Sequence, residues 1–202
     1  SSWSQSGNGI FSMIYIENNT VRSLITAAGS VLAGTGGGVF KSTDTGVNWV
    51  PSSVGLTNKN VSALESDGLY LYAGTAGAGA FRSTNGGESW STINEGLSNT
   101  YITTIKQIGS VLFAGTRSAG IFRSTDHGST WMDCNVGLDT LLIHGLGTSG
   151  ASILAGTEGG MFSSTNGGDS WVRAGGLCSK YRAFDFSGGS DMTLAATEAG
   201  IM

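Results

Sequence analysis

An eight-residue motif occurs four times in this chain at an almost constant spacing. Its first copy runs from Ser42 to Trp49, and every copy fits the pattern S-T-(D/N)-x-G-x-x-W. The tryptophans that end the motif, Trp49, Trp90, Trp131 and Trp171, follow one another at a period of about 40 residues. Such a period is typical of a propeller or another repeat array, so the chain has to be interpreted as copies of one structural unit.

Each residue type in the motif has a local structural role. An Asp or Asn side chain accepts backbone N–H groups and closes a turn. The glycine two residues later can adopt a positive φ angle, and the tryptophan buries a large ring as the chain returns. The motif therefore predicts a turn between two antiparallel strands. The predicted structural residues are Ser42, Asp44, Gly46, Trp49, Ser83, Asn85, Gly87, Trp90, Ser124, Asp126, Gly128, Trp131, Ser164, Asn166, Gly168 and Trp171.

Four tandem copies of this turn resemble the Asp-box, or BNR, repeat of sialidase-type, sortilin-type and photosystem II stability/assembly-factor-type propellers. The resemblance covers nearly the whole chain. Asn85 and Asn166 replace the Asp of the motif in two copies, which keeps the acceptor oxygen and removes the charge. The resemblance implies an all-β propeller fold.

The sequence around each motif indicates a blade of four short strands. The second strand ends in Ala-Gly-Thr in four repeats and in Ala195-Ala196-Thr197 in the last. The sequence around Trp3 matches that around Trp90, so residues 1–6 are expected to form a fourth strand. We therefore expect a five-bladed β-propeller of four-stranded antiparallel blades, closed by the N-terminal strand completing the C-terminal blade. Its single domain, 1–202, has blades at roughly 21–50, 61–91, 102–132, 143–172, and 183–202 plus 1–6; a piece of a longer propeller is the alternative.

The composition narrows the classes of partner. The chain has 34 glycines, 1 proline and only 12% charged residues, which fits a turn-rich β protein. A net charge of −4 without a basic stripe argues against a nucleic-acid partner. No apolar run approaches the roughly 18 residues of a membrane span, so we expect no such span. No cofactor or metal motif is present, so we expect neither a cofactor nor a metal. The low lysine content and the Asp-box resemblance predict a secreted or periplasmic protein.

Two further features leave alternatives open. The stretch Phe11–Glu17 interrupts the repeat with apolar residues, and it either folds over the end of the ring or forms an exposed patch for a partner. Cys134 and Cys178 occupy non-equivalent places in adjacent repeats. Two free, half-buried thiols are favoured over a disulfide bridge.

The candidate site lies on the face opposite the motif turns, where the other loops of such a blade meet. His127, within a motif turn, is expected to be an exposed turn residue. On the candidate face, the residue thirteen positions after each motif tryptophan is Ser62, Thr103, His144 or Phe184, and Arg22 is its match in the first repeat. These residues either line a wet channel and pair internally or form a polar pocket for a small ligand such as a sugar. The candidate ligand-binding residues are Arg22, Tyr101, Arg117, His144, Glu158, Lys180, Tyr181, Asp185 and Glu198.

Two functions fit these features. The favoured one is a non-catalytic binding or interaction propeller that recognises a glycan, a peptide or a protein partner. The alternative is a sialidase- or xyloglucanase-like glycoside hydrolase, which needs a pair of carboxylates. Glu158 and Glu198 occupy equivalent positions in neighbouring repeats, and Asp185 is near them in sequence. The arginine cluster of sialidases has no counterpart, because Arg82 and Arg123 belong to the repeat, so no catalytic residue is assigned.

Overall fold

The computed structural model describes residues 20–175, 182–188, 193–197 and 200–201. Within these ranges all regular structure is β, and no helix able to span a membrane is found. The strands are β1 (Val21–Ala27), β2 (Ser30–Thr35), β3 (Gly38–Ser42), β4 (Val50–Pro51), β5 (Val61–Ser66), β6 (Leu71–Thr75), β7 (Gly79–Ser83), β8 (Ser91–Thr92), β9 (Ile102–Ile108), β10 (Val111–Thr116), β11 (Ile121–Ser124), β12 (Met132–Asp133), β13 (Ile143–Ser149), β14 (Ser152–Thr157), β15 (Gly160–Ser164), β16 (Val172–Arg173), β17 (Ala183–Gly188), β18 (Thr193–Thr197) and β19 (Gly200–Ile201).

The strands form five antiparallel sheets, each made of consecutive strands. Four sheets have four strands, β1 to β4, β5 to β8, β9 to β12 and β13 to β16, and the fifth contains β17, β18 and β19. The predicted all-β architecture of five blade-like sheets is confirmed. Residues 1–6, expected to complete the fifth sheet, and the stretch Phe11–Glu17 lie outside the described residues.

A glycine in the second strand lets each sheet approach the next one closely. A Cβ atom added at Gly74 would lie 2.6 Å from Cγ2 of Ile102 in the inner strand of the following sheet. At Gly34 the corresponding distance to Cγ1 of Val61 is 2.8 Å. These distances are shorter than van der Waals contact, so a side chain at either position would push the sheets apart. This packing is the physical reason for the repeated Ala-Gly-Thr sequence.

The fifth sheet departs from this rule. Ala196 pairs with Asp185 as the glycines pair in the other sheets, and it is exposed. On the first sheet, Leu24 is 61% exposed, whereas its counterpart Leu64 is only 4% exposed. Among the described residues, these faces of the fifth and first sheets are therefore less covered than the corresponding faces of the sheets between them.

The motif tryptophans link neighbouring sheets. The indole N–H groups of Trp90, Trp131 and Trp171 donate to carbonyl groups of the preceding sheet, at 2.7 to 2.8 Å. The indole of Trp49, in the first sheet, instead donates to the carbonyl of Gly46 in its own turn at 2.9 Å. One acceptor belongs to Cys134, which is a free and fully buried cysteine rather than the expected half-buried one.

Candidate functional site

All five inner strands border one cavity of about 340 Å³. Its lining includes residues of β1, β5, β9, β13 and β17, so the five sheets surround a common axis. The predicted inner-strand set lines this axial cavity, one residue from each sheet: Arg22, Ser62, Thr103, His144 and Phe184.

A β-bulge directs each of these five side chains toward the cavity. The first residue of each inner strand pairs with the threonine that ends the second strand, as Ile143 pairs with Thr157. The next pair skips one residue, so that Gly145 faces Gly156 and His144 is left outside the ladder. The same irregularity occurs at the corresponding residue of the other four sheets. Bulges redirect a side chain away from the sheet faces, which explains how the chain presents five unlike residues to one cavity.

The imidazole of His144 contacts Glu158 and Phe184 at the cavity. Its Nε2 lies 3.0 Å from Oε2 of Glu158, whose Oε1 accepts a hydrogen bond from Arg182. The rings of His144 and Phe184 pack edge to face, with their centroids 5.3 Å apart and their planes at 67°. The imidazole is largely buried, while Phe184 is 47% exposed. Two predicted site residues, His144 and Glu158, are thus in direct contact.

Arg22 and Thr103 also line the cavity, and each has hydrogen-bonding groups that the described contacts do not use. Arg22 donates to the side-chain oxygen of Asn60 on the next sheet, which uses one of the five N–H groups of a guanidinium. The hydroxyl of Thr103 is buried, and it has no hydrogen-bond partner among the described residues. Its counterpart Ser62 donates instead toward the carbonyl oxygens of Gly74 and Ile102 at 3.0 and 2.6 Å. A buried hydroxyl without a partner is uncommon and usually has a water or a ligand near it.

Arg117 and Tyr101, two further candidates, contact each other. The guanidinium carbon of Arg117 lies 5.0 Å from the ring centre of Tyr101, and the two do not line the axial cavity. The backbone of Asp185 belongs to β17, opposite Ala196. Lys180, Tyr181 and Glu198 lie outside the described residues.

Three contacts near this site were not foreseen from the sequence. Glu65 and Lys106 form an ion pair of 3.3 Å in the lining of the axial cavity. Arg173 pairs with Asp139, and its guanidinium also donates to the carbonyl of Gly159 on the same face. Glu65 and Lys106 are opposite charges at matching positions of neighbouring repeats, whereas Asp139 and Arg173 occupy positions that do not match.

The motif turns lie at the other end of the sheets. In the third turn, the Ser124 hydroxyl donates to Asp126, the Gly128 N–H donates back to that hydroxyl, and Asp126 accepts further bonds from Thr130. The bonds from Thr130 and Ser124 lower the pKa of Asp126 to about 2. Because the oxygens of Asp126 already accept these local bonds, the role of this carboxylate is to stabilise the turn.

His127 is more than an exposed turn residue. Its imidazole is half exposed, and its Nδ1 lies 2.9 Å from Oδ2 of Asp67 in the preceding sheet. Asp67 is nearly buried and also accepts a 2.7 Å bond from the hydroxyl of Tyr72. Tyr70 packs edge to face against the imidazole, and Arg82 donates to the carbonyl of His127. Only the second repeat has an Asp at the position of Asp67 together with a Tyr at the position of Tyr72. A search for residues shared between repeats therefore misses this cluster.

No family model and no characterised protein matches the sequence. Solved structures do match its fold. The extracellular domain of a putative one-component system from B. thetaiotaomicron aligns over 94% of this chain, with a TM-score of 0.75 and 17% identity. The GH74 xyloglucanase from Xanthomonas campestris aligns over 88%, with a TM-score of 0.68 and 20% identity. YCF48 bound to D1 peptide aligns over 90%, with a TM-score of 0.66 and 16% identity.

The chain is shorter than each of these proteins. It spans 27% of the extracellular domain, 33% of the xyloglucanase and 64% of YCF48. At these identities the likeness concerns the arrangement of sheets and not the activity. The chain has the β-propeller fold found in these proteins, as the repeated motif predicted.

Proposed function

We propose that this chain is a non-catalytic binding propeller that takes a small ligand, or one end of a larger glycan, peptide or protein, in the axial cavity. One observation carries the proposal: five bulges direct an arginine, a serine, a threonine, a histidine and a phenylalanine to one cavity. Sheet packing requires no such variety, since the residue before each of them is apolar in every sheet. A volume of about 340 Å³ is near the lower end of the usual range for ligand pockets, about 300–1,000 Å³.

The structural neighbours support a binding role and an extracytoplasmic location. Several are extracellular domains of bacterial systems, and one is bound to a peptide. We therefore propose that the chain acts in a secreted or periplasmic setting. The stretch Phe11–Glu17 remains a second candidate contact for a protein partner.

A glycoside hydrolase is the second candidate, because GH74 enzymes have this fold. The described carboxylates of the cavity region support it less well. Glu158 is bound by Arg182 and His144, and Glu65 is bound by Lys106. A glycosidase needs one carboxylic acid that keeps a proton to deliver to the leaving group. A carboxylate paired with a cation is poorly suited to that task.

A binding screen with a matched pair of variants tests the proposal. The intact chain is applied to arrays of glycans and of peptides, together with Phe184→Ala and Leu69→Ala. Both substitutions truncate an exposed apolar side chain, 47% and 68% exposed, but only Phe184 lines the axial cavity. We expect a ligand whose binding is lost with Phe184→Ala and retained with Leu69→Ala. Equal binding by both variants would reject the cavity as the site.

The hydrolase alternative is tested on the same preparations. Xyloglucan and sialosides are incubated with the intact chain and with Glu158→Gln, and released sugars are measured. Binding without turnover supports the proposed function. Turnover that disappears in Glu158→Gln establishes the alternative instead.

A further inference from the structure

We infer that the ligand of the axial cavity is an uncharged sugar ring, and that Glu158 and Arg182 are positioning residues that present His144 to a sugar hydroxyl as a hydrogen-bond acceptor. The inference rests on the proposed function, and it names the chemistry that the cavity selects. It follows from three features: the orientation of His144, the hydrogen-bonding capacity of Arg22 and Thr103, and the exposed ring of Phe184.

Glu158 determines which nitrogen of His144 carries the proton. An ionised carboxylate only accepts hydrogen bonds, so the His144 nitrogen at 3.0 Å, Nε2, must be the donor. In a neutral imidazole the other nitrogen, Nδ1, then holds a lone pair. Arg182 donates to the second oxygen of Glu158, so both carboxylate oxygens have a partner. The contact with Phe184 restricts the plane of the imidazole.

The other cavity groups complete a mixed set of donors and acceptors. Arg22 retains guanidinium N–H groups beyond the one bound to Asn60. The buried hydroxyl of Thr103 can both donate and accept. Sugar hydroxyls also donate and accept, so one ring can bond to both His144 and Arg22. The exposed face of Phe184 offers an apolar surface for the C–H groups of such a ring.

A carboxylate ligand could bond to Arg22, but it fits His144 less well. It contains only acceptor oxygens, whereas Nδ1 of a neutral His144 presents a lone pair. A sugar hydroxyl can donate to that nitrogen and accept from Arg22. The cavity volume of about 340 Å³ also limits the bound part to something small, such as one end of a glycan.

Calorimetric titration at one fixed pH with methyl pyranosides, and with the matching uronic acids, tests this inference. We expect the intact chain to bind at least one methyl pyranoside, and to bind it more tightly than the matching uronic acid.

Two substitutions of Glu158 separate positioning from simple structural support. Glu158→Gln keeps an oxygen for the Nε2–H group, so its affinity should remain within about threefold of the intact chain. Glu158→Ala should bind about tenfold more weakly, because the Nε2–H group loses its acceptor. Asp139→Asn removes a carboxylate that pairs with Arg173 on the same face outside the cavity, and it should match the intact chain.

Each contrary result has one meaning. Preference for a uronic acid, or a Glu158→Ala variant that binds as tightly as the intact chain, would overturn the inference. Failure to bind any pyranoside, together with peptide binding that Phe184→Ala abolishes, would overturn it while leaving the proposed function standing. Pyranoside binding that Phe184→Ala does not weaken would reject the cavity itself, and the proposed function with it.

Discussion

The indole Nε1 of Trp131 donates a 2.7 Å hydrogen bond to the carbonyl oxygen of Ile93, which belongs to the preceding sheet. The backbone N–H of the same tryptophan donates to the carbonyl of Glu95 at 2.9 Å. Trp90 and Trp171 make the corresponding pairs of bonds to their own preceding sheets. A residue that marks the repeat in the sequence therefore joins successive repeats in space.

Replacing Trp131 by phenylalanine should weaken this connection. The substitution keeps a buried aromatic ring but leaves the carbonyl of Ile93 without its donor, which typically costs about 1–3 kcal/mol. Trp131→Ala also removes most of the buried ring and should cost about 3–5 kcal/mol. Urea unfolding followed by circular dichroism measures both values. A phenylalanine variant as stable as the intact chain would show that the indole bond contributes nothing.

Gly74→Ala should destabilise the contact between the second and third sheets. The added methyl group would lie 2.6 Å from Cγ2 of Ile102, and overpacking of this kind costs about 1–3 kcal/mol. Gly175→Ala is the matched control, because an added Cβ there meets no atom within 4 Å. The free energy of unfolding should fall only for the first variant. Equal values for the two variants would contradict the role given to the Ala-Gly-Thr glycines.

Asp67→Asn should reduce stability at neutral pH and make it less sensitive to acid. Burial raises the pKa of Asp67, but hydrogen bonds from Tyr72, Tyr70, His127 and Leu69 outweigh it and lower the pKa to about 2 from 3.8. A lowered folded-state pKa stabilises the fold above the unfolded value, and this contribution is lost as the pH falls from about 4 to 2. The difference corresponds to roughly 2 kcal/mol.

Urea unfolding at several pH values between about 7 and 2 measures this effect. The Asp67→Asn curve should be lower at pH 7 and should converge on that of the intact chain near pH 2. Asp139→Asn, at a half-exposed ion pair, serves as the control and should change stability by less than about 1 kcal/mol. A curve for Asp67→Asn that runs parallel to that of the intact chain would refute the prediction.

Cys134 should be unreactive in the folded protein. Burial raises the pKa of its thiol to about 12, so almost no thiolate is present near pH 8. In a Cys178→Ser background, an aromatic disulfide reagent should release no colour in native buffer and one equivalent after unfolding in guanidinium chloride. Rapid reaction in native buffer would mean that the thiol is accessible.

The fold was predictable because its determinants recur. The glycine at the Gly46 position adopts a positive φ angle in all four motif turns, and all four motif tryptophans are buried, so the period alone indicates equal units that pack on one another. The close approach at Gly74 also recurs between sheets, so its glycine recurs in the sequence as part of Ala-Gly-Thr.

The site was predictable only in part. Position relative to the tryptophan indicated Arg22 and His144, because the bulge recurs at that position. The contact of Glu158 with Arg182 was not foreseen, because it joins loops of different sheets whose distance no repeat pattern encodes. Asp67 and His127 were missed because a single repeat pair carries them, and a search for recurring features discards single occurrences.

The bulge separates the residues that face the axis from those that hold the sheets together. Two bulge residues are partial exceptions. The hydroxyl of Ser62 bonds to backbone carbonyls on both sides of one sheet-to-sheet contact, and Arg22 donates to Asn60 across another. Positions 22, 103, 144 and 184 nevertheless stand outside the strand ladders, so their side chains can be exchanged with little disturbance of the ladders themselves. A combinatorial library limited to residues 22, 103, 144 and 184 should therefore yield receptors of altered selectivity on one unchanged scaffold.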